Sequence, residues 1–383
     1  MTEVPGLAGL LSDESWPYAS SLPQGDDDPG RFHALFGRDS LITALQVLPA
    51  RPDVARATLR ALANLQGRRV DPGTLEAPGK IGHEFRPDPP ETFVGWPAGD
   101  FRYYATADAT SWFLVVLAAA DDKELADELE PHWRAAAEWL RAELHAGDGF
   151  VRYTQGTLGG LSHQGWRDAI DPVTDGNGGG TLRPDGSRPE PPLADCDSQA
   201  VAVAALRAAA RLTGEPEWQH RSDVLRARIT ETFLPDIVMV DAAGPVTGAG
   251  SQLGWLLWCD ALEPDAVSAV ADRLCAPDVY TGYGLRTLSS DSPVFTEEGY
   301  HRGSVWPFDS WLGWGGLRAA GRSDEAEGLR RGLLAAIDEL GGYPELFAVS
   351  REGQVRRIPA ANRVQAWTVG ARWALANEWD GRA

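Results

Sequence analysis

Cysteine, positive charge, long apolar runs and strand-like alternation are all scarce in this 383-residue chain. Each scarcity removes a class of function. Three cysteines, Cys196, Cys259 and Cys275, are too few and too scattered for a disulfide framework or a zinc cluster. They read as small buried hydrophobes suited to a reducing compartment. The formal net charge of −20 argues against nucleic acid and anionic membrane as partners, since both demand a basic surface; a neutral ligand is the natural expectation. The opening Met1-Thr2-Glu3-Val4-Pro5-Gly6 has no basic segment followed by an apolar run, so no signal peptide is read. No stretch of about eighteen apolar residues occurs either, and a soluble cytoplasmic protein is expected. There is no phosphate loop after a strand, no Gly-x-Ser-x-Gly elbow and no zinc-type Cys/His spacing, so neither a cofactor nor a metal is expected. The glycine run 176–180 reads as a flexible loop with no helix to present a phosphate to.

What the chain has is helical periodicity. Apolar residues recur at helical spacing over about 40–49, 53–66, 108–119, 123–145, 195–213, 216–233, 251–261, 263–275, 304–320, 323–339 and 364–377. Ser40, Asp53, Asp108 and Asp197 stand at or near the starts, and Gly67, Gly214 and Gly321 follow the ends. Strand candidates reduce to 150–153 and 237–240. The spacing therefore predicts an all-α fold of about eleven or twelve helices, joined alternately by short turns and long loops. Such a chain makes a ring of helical hairpins with its long loops gathered on one face; an open helical solenoid is the alternative. Residues 1–30, rich in Pro, Ser and Asp, read as an irregular segment with an exposed turn at 25–30. Residues 31–383 read as a single catalytic domain whose structure begins at Phe32.

The polar motifs fall in the loops. In His163-Gln164-Gly165-Trp166-Arg167-Asp168-Ala169-Ile170-Asp171, a carboxylate, an indole and a guanidinium lie within three residues. An indole covers the apolar face of a pyranose, charged groups such as Arg167 grip hydroxyls, and an acid must protonate the leaving oxygen. Asp168 is the candidate acid; the plainer alternative is a surface loop whose Arg and Asp pair with each other. Glu345 follows Gly341-Gly342-Tyr343-Pro344 and stands alone among apolar residues, where desolvation raises its proton affinity. Two acids far apart in sequence are what a two-carboxylate hydrolase needs, and Glu345 is the second candidate. Arg38 and Asp39 precede a helical run and suit adjacent hydroxyls, or else form a local salt bridge. Asp108 is a sugar contact or a helix cap. His301 and Arg302, beside Gly303, are ligand contacts or structural. Two other classes compete: a sugar epimerase, requiring His83, His163 and His301 to converge, and a catalytically silent glycan-binding protein.

Taken in order, FGRDS, GKIGHE, YYATADAT, HQGWRDAID, CDSQA, SQLGWLLW, GLRT, YHRGSVWPFD, YPELF and VQAW resemble the glucosidase portion of glycogen-debranching enzymes, the amylo-α-1,6-glucosidase family. The resemblance runs from Phe36 to about Trp367. It implies an (α/α)₆ toroid and inverting hydrolysis of a terminal α-glucoside, with Asp168 as general acid and Glu345 as general base. It also implies that Arg38, Asp39, Asp108, Trp166, Gln199, His301, Trp306, Gln365 and Trp367 line the sugar pocket. Two positions depart from the family's pattern: Arg167 stands where Lys is more usual, and Asp197 where a Glu is expected. FGRDS begins 35 residues in, leaving no room for the β-rich or transferase domains of larger relatives. Related toroidal hydrolases cleave small glucosides such as glucosylglycerate or mannosylglycerate with the same acid/base pair, and these are the alternative substrates.

Overall fold

The computed structural model describes residues 3–24, 31–91, 93, 96–168 and 180–382. The turn expected at 25–30, residues 169–171 of the Trp166 stretch and most of the glycine run at 176–180 lie outside the described residues. Among the described residues there are twelve α-helices: α1 (Gly37–Val47), α2 (Pro52–Asn64), α3 (Ala109–Ala120), α4 (Lys123–Glu128), α5 (Glu130–Ala146), α6 (Cys196–Thr213), α7 (Pro216–Phe233), α8 (Gln252–Trp258), α9 (Val267–Leu274), α10 (Pro307–Ala319), α11 (Ser323–Leu340) and α12 (Ala366–Ala376). Packing orders them into a closed ring. Helices α1, α3, α6, α8, α10 and α12 each pack on the next, and α12 returns to α1. Around them α2, α5, α7, α9 and α11 pack against the inner helices that precede them. The all-α toroid is therefore present, and closure of α12 on α1 excludes the open solenoid.

Sequence explains which helix goes where. All residues of α1 and α8 are buried, as is α10 from Pro307 to Leu317; α8 and α10 are largely apolar, whereas α1 carries Arg38, Asp39 and Ser40 in its first turn. Outer α2 buries only Val54, Ala55, Thr58, Leu59, Leu62 and Ala63, one stripe at helical spacing. No described helix is long and apolar enough to cross a membrane.

The sheets are small and antiparallel: β1 (Leu35–Phe36) with β2 (Glu84–Arg86) and β3 (Phe101–Tyr103), β4 (Ala194–Asp195) with β5 (Ile237–Asp241) and β6 (Gly244–Thr247), and β7 (Phe347–Val349) with β8 (Val355–Arg357). They pin loops at helix starts; Phe36, just before α1, is in register with Glu84, and Glu84 with Tyr103.

Several local expectations are corrected. The stretch 123–145 is two helices, because Pro131 has no N–H to continue the ladder, and the break falls at Leu129. The strand expected at 150–153 is only an isolated bridge between Tyr153 and Leu193. Helix α10 starts at Pro307, not at residue 304, because Val305 pairs with Phe347. Order does not begin at Phe32: Ala8–Leu10 form a 3₁₀ turn, and Val4, Leu7 and Leu10 are part of the core.

Candidate active site

The inner helices all start at one end of the ring, where their first turns meet the long loops. Arg38 of α1 donates to Asp108 at the start of α3 (3.2 Å), Arg167 pairs with Asp197 in the first turn of α6, and Trp255 of α8 donates to Asp309 of α10 (2.6 Å). Trp306, just before α10, packs on Trp367 at the start of α12. Free amides at six helix starts make this end electropositive, a setting that tolerates a concentration of carboxylates.

A cavity of about 490 Å³ opens here. Its lining includes Arg38, Asp39, Trp166, Asp168, Trp306, Glu345, Gln365 and Trp367, and sequence reasoning had singled out all eight. Trp166 stands edge-on to Trp306 (centroids 5.5 Å apart), and Trp367 stacks on Phe308 at 3.8 Å, so the walls are aromatic and rigid. Asp168 extends from the loop between α5 and α6 and receives Arg38 Nη2 on Oδ2 at 2.6 Å. Burial raises its carboxyl to about 6, with Arg38 opposing. Glu345 lies between α11 and β7 and is 1% exposed. Its carboxylate accepts from the Tyr300 hydroxyl and from the Asn362 amide (2.8 Å). Burial nevertheless pushes it up to about 7, the two hydrogen bonds opposing and nearby Asp168 adding to the rise. Asp39 is raised to about 7 by burial, against Arg38.

Four residues expected at the sugar do not line the cavity. Asp108 is fully buried and holds Arg38 and the Thr106 hydroxyl (2.8 Å); although it is the N-cap residue of α3, its side chain makes no capping hydrogen bond. Gln199 clamps the 151 loop, accepting from Val151 N (2.8 Å) and donating to Val151 O (3.0 Å). Arg167 turns away from the cavity toward Asp197. His301 is 2% exposed, stacked on Trp306 behind the wall. The three histidines of the epimerase alternative do not converge: only His83 lines the cavity, and burial lowers all three below the usual imidazole range.

The cavity also contains Arg31, His83, Glu84, Arg86, Phe93 and Tyr300. His83 and Glu84 sit in GKIGHE and Tyr300 adjoins His301, so their motifs were visible though their roles were not. Arg31 and Arg86 carried no local signal. Glu84 pairs with Arg86, and burial raises its carboxyl to about 7. Among the described residues no group of three His, Cys, Asp or Glu side chains is placed to hold a metal ion.

Two protonatable carboxyls beside rigid indoles are the apparatus of acid/base hydrolysis of a glycoside. Comparison with known proteins agrees with that chemistry. No curated protein matches the sequence. Among solved structures, GH63 mannosylglycerate hydrolase from Thermus thermophilus, in complex with Tris and D-glycerate, superposes with a TM-score of 0.68 at 16% identity, over 96% of this chain and 97% of that one. The same hydrolase in complex with glucose gives 0.64 at 18% identity, over 97% and 98%. A wild-type glycosidase gives 0.57 at 17% identity, over 98% and 95%. At these identities the likeness establishes the toroidal fold. The family model of the mannosylglycerate hydrolase MGH1-like glycoside hydrolase domain matches residues 38–348, from Arg38 to just past Glu345, and the chain belongs to that glycoside hydrolase family.

Proposed function

We propose that the protein hydrolyses a small α-glycoside with an acidic aglycone, of the glucosylglycerate or mannosylglycerate class, with inversion at the anomeric carbon. The observation that carries this reading is that Asp168 and Glu345 face one aromatic-walled cavity whose lining also includes Arg31 and Arg86. Such guanidinium donors can receive a carboxylate aglycone bidentately, although Arg86 is already paired with Glu84. The family match and the fold likeness to a mannosylglycerate hydrolase favour the same substrate class over glycogen debranching. The cavity size suits a sugar with a short aglycone.

In this reading the sugar packs on Trp166 and Trp367 while Arg38, Asp39 and Gln365 take its hydroxyls. Arg38 engages Oδ2 of Asp168, which leaves Oδ1 to carry the proton. That proton passes to the glycosidic oxygen as its bond to the anomeric carbon breaks. Glu345, aligned by Tyr300 and the Asn362 amide, takes a proton from the attacking water. The products are glyceric acid and the inverted sugar, and solvent returns the proton from Glu345 to Asp168. Inversion requires a carboxyl separation of roughly 6.5–9.5 Å to admit the water.

The test is proton NMR of the anomeric signal with mannosylglycerate, glucosylglycerate, the corresponding glycerol glycosides and an isomaltose-type α-1,6-glucoside. We expect inverted product first, from a glycerate glycoside. Asp168→Asn and Glu345→Gln each lose about 10²–10⁴-fold in kcat. Arg86→Ala raises KM for the glycerate glycoside about tenfold and leaves the glycerol glycoside unchanged. Preferential cleavage of the α-1,6-glucoside restores the debranching reading. A retained anomeric configuration, or full activity in either carboxyl variant, refutes the assigned pair.

A further inference from the structure

Arg167 precedes the acid directly in sequence, yet its side chain leaves the cavity. Its guanidinium pairs with Asp197 in the first turn of α6, both side chains nearly inaccessible at 6% and 2%. It also donates to Ser251 Oγ at the start of α8 (3.1 Å) and lies 4.6 Å from the centroid of the Trp166 ring. Trp166 in turn runs parallel to Trp255, whose indole N–H is held by Asp309 of α10. One side chain thus ties the acid-bearing loop to the first turns of α6 and α8, and through Trp255 to α10.

The backbone around it has no slack. A Cβ on Gly165 would lie 2.7 Å from a carboxylate oxygen of Asp195, which itself caps α6 by accepting from Ser198 N at 2.8 Å. A Cβ on Gly180, where the described chain resumes, would lie 1.7 Å from the Arg167 carbonyl. The backbone at Arg167 is therefore confined from both sides, and its side chain fixes the orientation from which Asp168 emerges.

We infer that Arg167 and Asp197 form a buried positioning pair that aims Asp168 at the leaving oxygen without touching the sugar. The inference rests on the reading of Asp168 as the acid. It differs from a stability role in a measurable way. A buried ion pair replaced by apolar side chains of similar volume is often neutral or stabilising, because the desolvation of both charges disappears with the attraction between them. A role in stability alone therefore leaves catalysis intact in such a double variant. The Arg-for-Lys and Asp-for-Glu departures are complementary in the same sense: the longer partner on the loop meets the shorter one on α6.

The experiment compares wild type, Arg167→Met/Asp197→Leu, Arg167→Lys and Asp168→Asn on two substrates of the same sugar. One is an alkyl α-glycoside, whose alkoxide leaves only when protonated. The other is whichever of α-glucosyl and α-mannosyl fluoride the wild-type enzyme hydrolyses, whose leaving group depends far less on the acid. In the folded double variant we expect kcat on the alkyl glycoside to fall about tenfold or more, with KM and fluoride hydrolysis within about threefold of wild type. Arg167→Lys keeps the charge with altered donor geometry and gives the same split to a smaller degree, so it carries the test if the double variant does not fold. Equal loss on both substrates, or no loss on either, overturns the inference. Full alkyl-glycoside activity in Asp168→Asn overturns the underlying assignment of the acid, and the inference with it, and this is separable because it appears in that variant alone.

Discussion

Asp168 shares its Oδ2 with the Arg38 guanidinium, whereas Glu345 is held by a phenol and a backbone amide, and both are buried enough that ionisation is penalised. With carboxyls at about 6 and about 7, the singly protonated pair predominates between these values. In the proposed mechanism Asp168 must hold the proton and Glu345 must not, whereas this order of values leaves the resting proton mainly on Glu345; the productive form is then the minor singly protonated one, and kcat/KM is still expected to be bell-shaped, with limbs near pH 6 and pH 7. A profile flat from pH 5 to 8 contradicts that coupling. The same burial makes Glu345 a liability to the fold. Its proton affinity is higher folded, at about 7, than its ordinary 4.5, so ionisation opposes folding. That penalty is absent below pH 4.5 and complete above about pH 7. Relative to wild type, Glu345→Gln should therefore gain about 3 kcal/mol of stability between pH 4.5 and 8, measured by denaturant unfolding at each pH. A difference that does not change with pH removes the argument. Both cavity-lining carboxyls were legible in the sequence, because a carboxylate beside Trp or in an apolar turn is locally anomalous. Gln199, His301 and Arg167 were misplaced because sequence marks a polar residue near a loop without saying which way it points.

Among the elements, the inner helices approach one another most closely where glycine permits it. A Cβ on Gly254 of α8 would lie 2.6 Å from Gly313 Cα of α10, and one on Gly316 would lie 2.7 Å from Gly254 O. Backbone meets backbone there, so no side chain can move aside. Gly254→Ala is expected to destabilise by about 1–3 kcal/mol in chemical denaturation; an unchanged midpoint would show that the helices separate without strain. The glycine of FGRDS has the same logic. A Cβ on Gly37 would sit 2.1 Å from the Gly82 carbonyl, where the start of α1 crosses the segment that leads through His83 into β2. That motif glycine brings two cavity-lining segments into contact. Helix existence was readable from periodicity, and helix ends were not, since Pro131 and the Val305–Phe347 bridge reset them.

At the scale of the whole molecule, the ring is closed at the end remote from the cavity by the C-terminal tail. Trp379 Nε1 donates to Leu45 O of α1 (2.8 Å), Trp311 Nε1 of α10 to Trp379 O (2.9 Å), and Trp258 Nε1 of α8 to Asp380 O (2.7 Å). Removing residues 378–383 leaves two buried indole donors and a helix carbonyl without these partners. We expect a loss of about 3 kcal/mol in stability, seen as a Tm drop of several degrees, with kcat of the remaining folded enzyme unchanged. A truncated chain with unaltered Tm would show that the ring closes without its tail. The net charge of −20 belongs to this scale too. It speaks to nucleic acids and membranes at long range, but it does not exclude a small acidic ligand, because Arg31 and Arg86 act locally inside the cavity.

The sequence by itself determined the helical class and the location of the chemistry in the loops, because a 3.6-residue period and isolated polar motifs are local properties. It also singled out Asp168, Glu345 and the aromatic walls, whose residue types are unusual for their surroundings. Only the tertiary structure decided that α12 closes on α1, that Arg31, Glu84 and Arg86 join the cavity, and that Arg167 leaves the cavity to pair with Asp197. Those facts depend on which side chains meet across 30 or more residues of chain, and in a helical ring that is set by how each inner helix is rotated about its axis, a quantity that packing selects and local pattern does not encode.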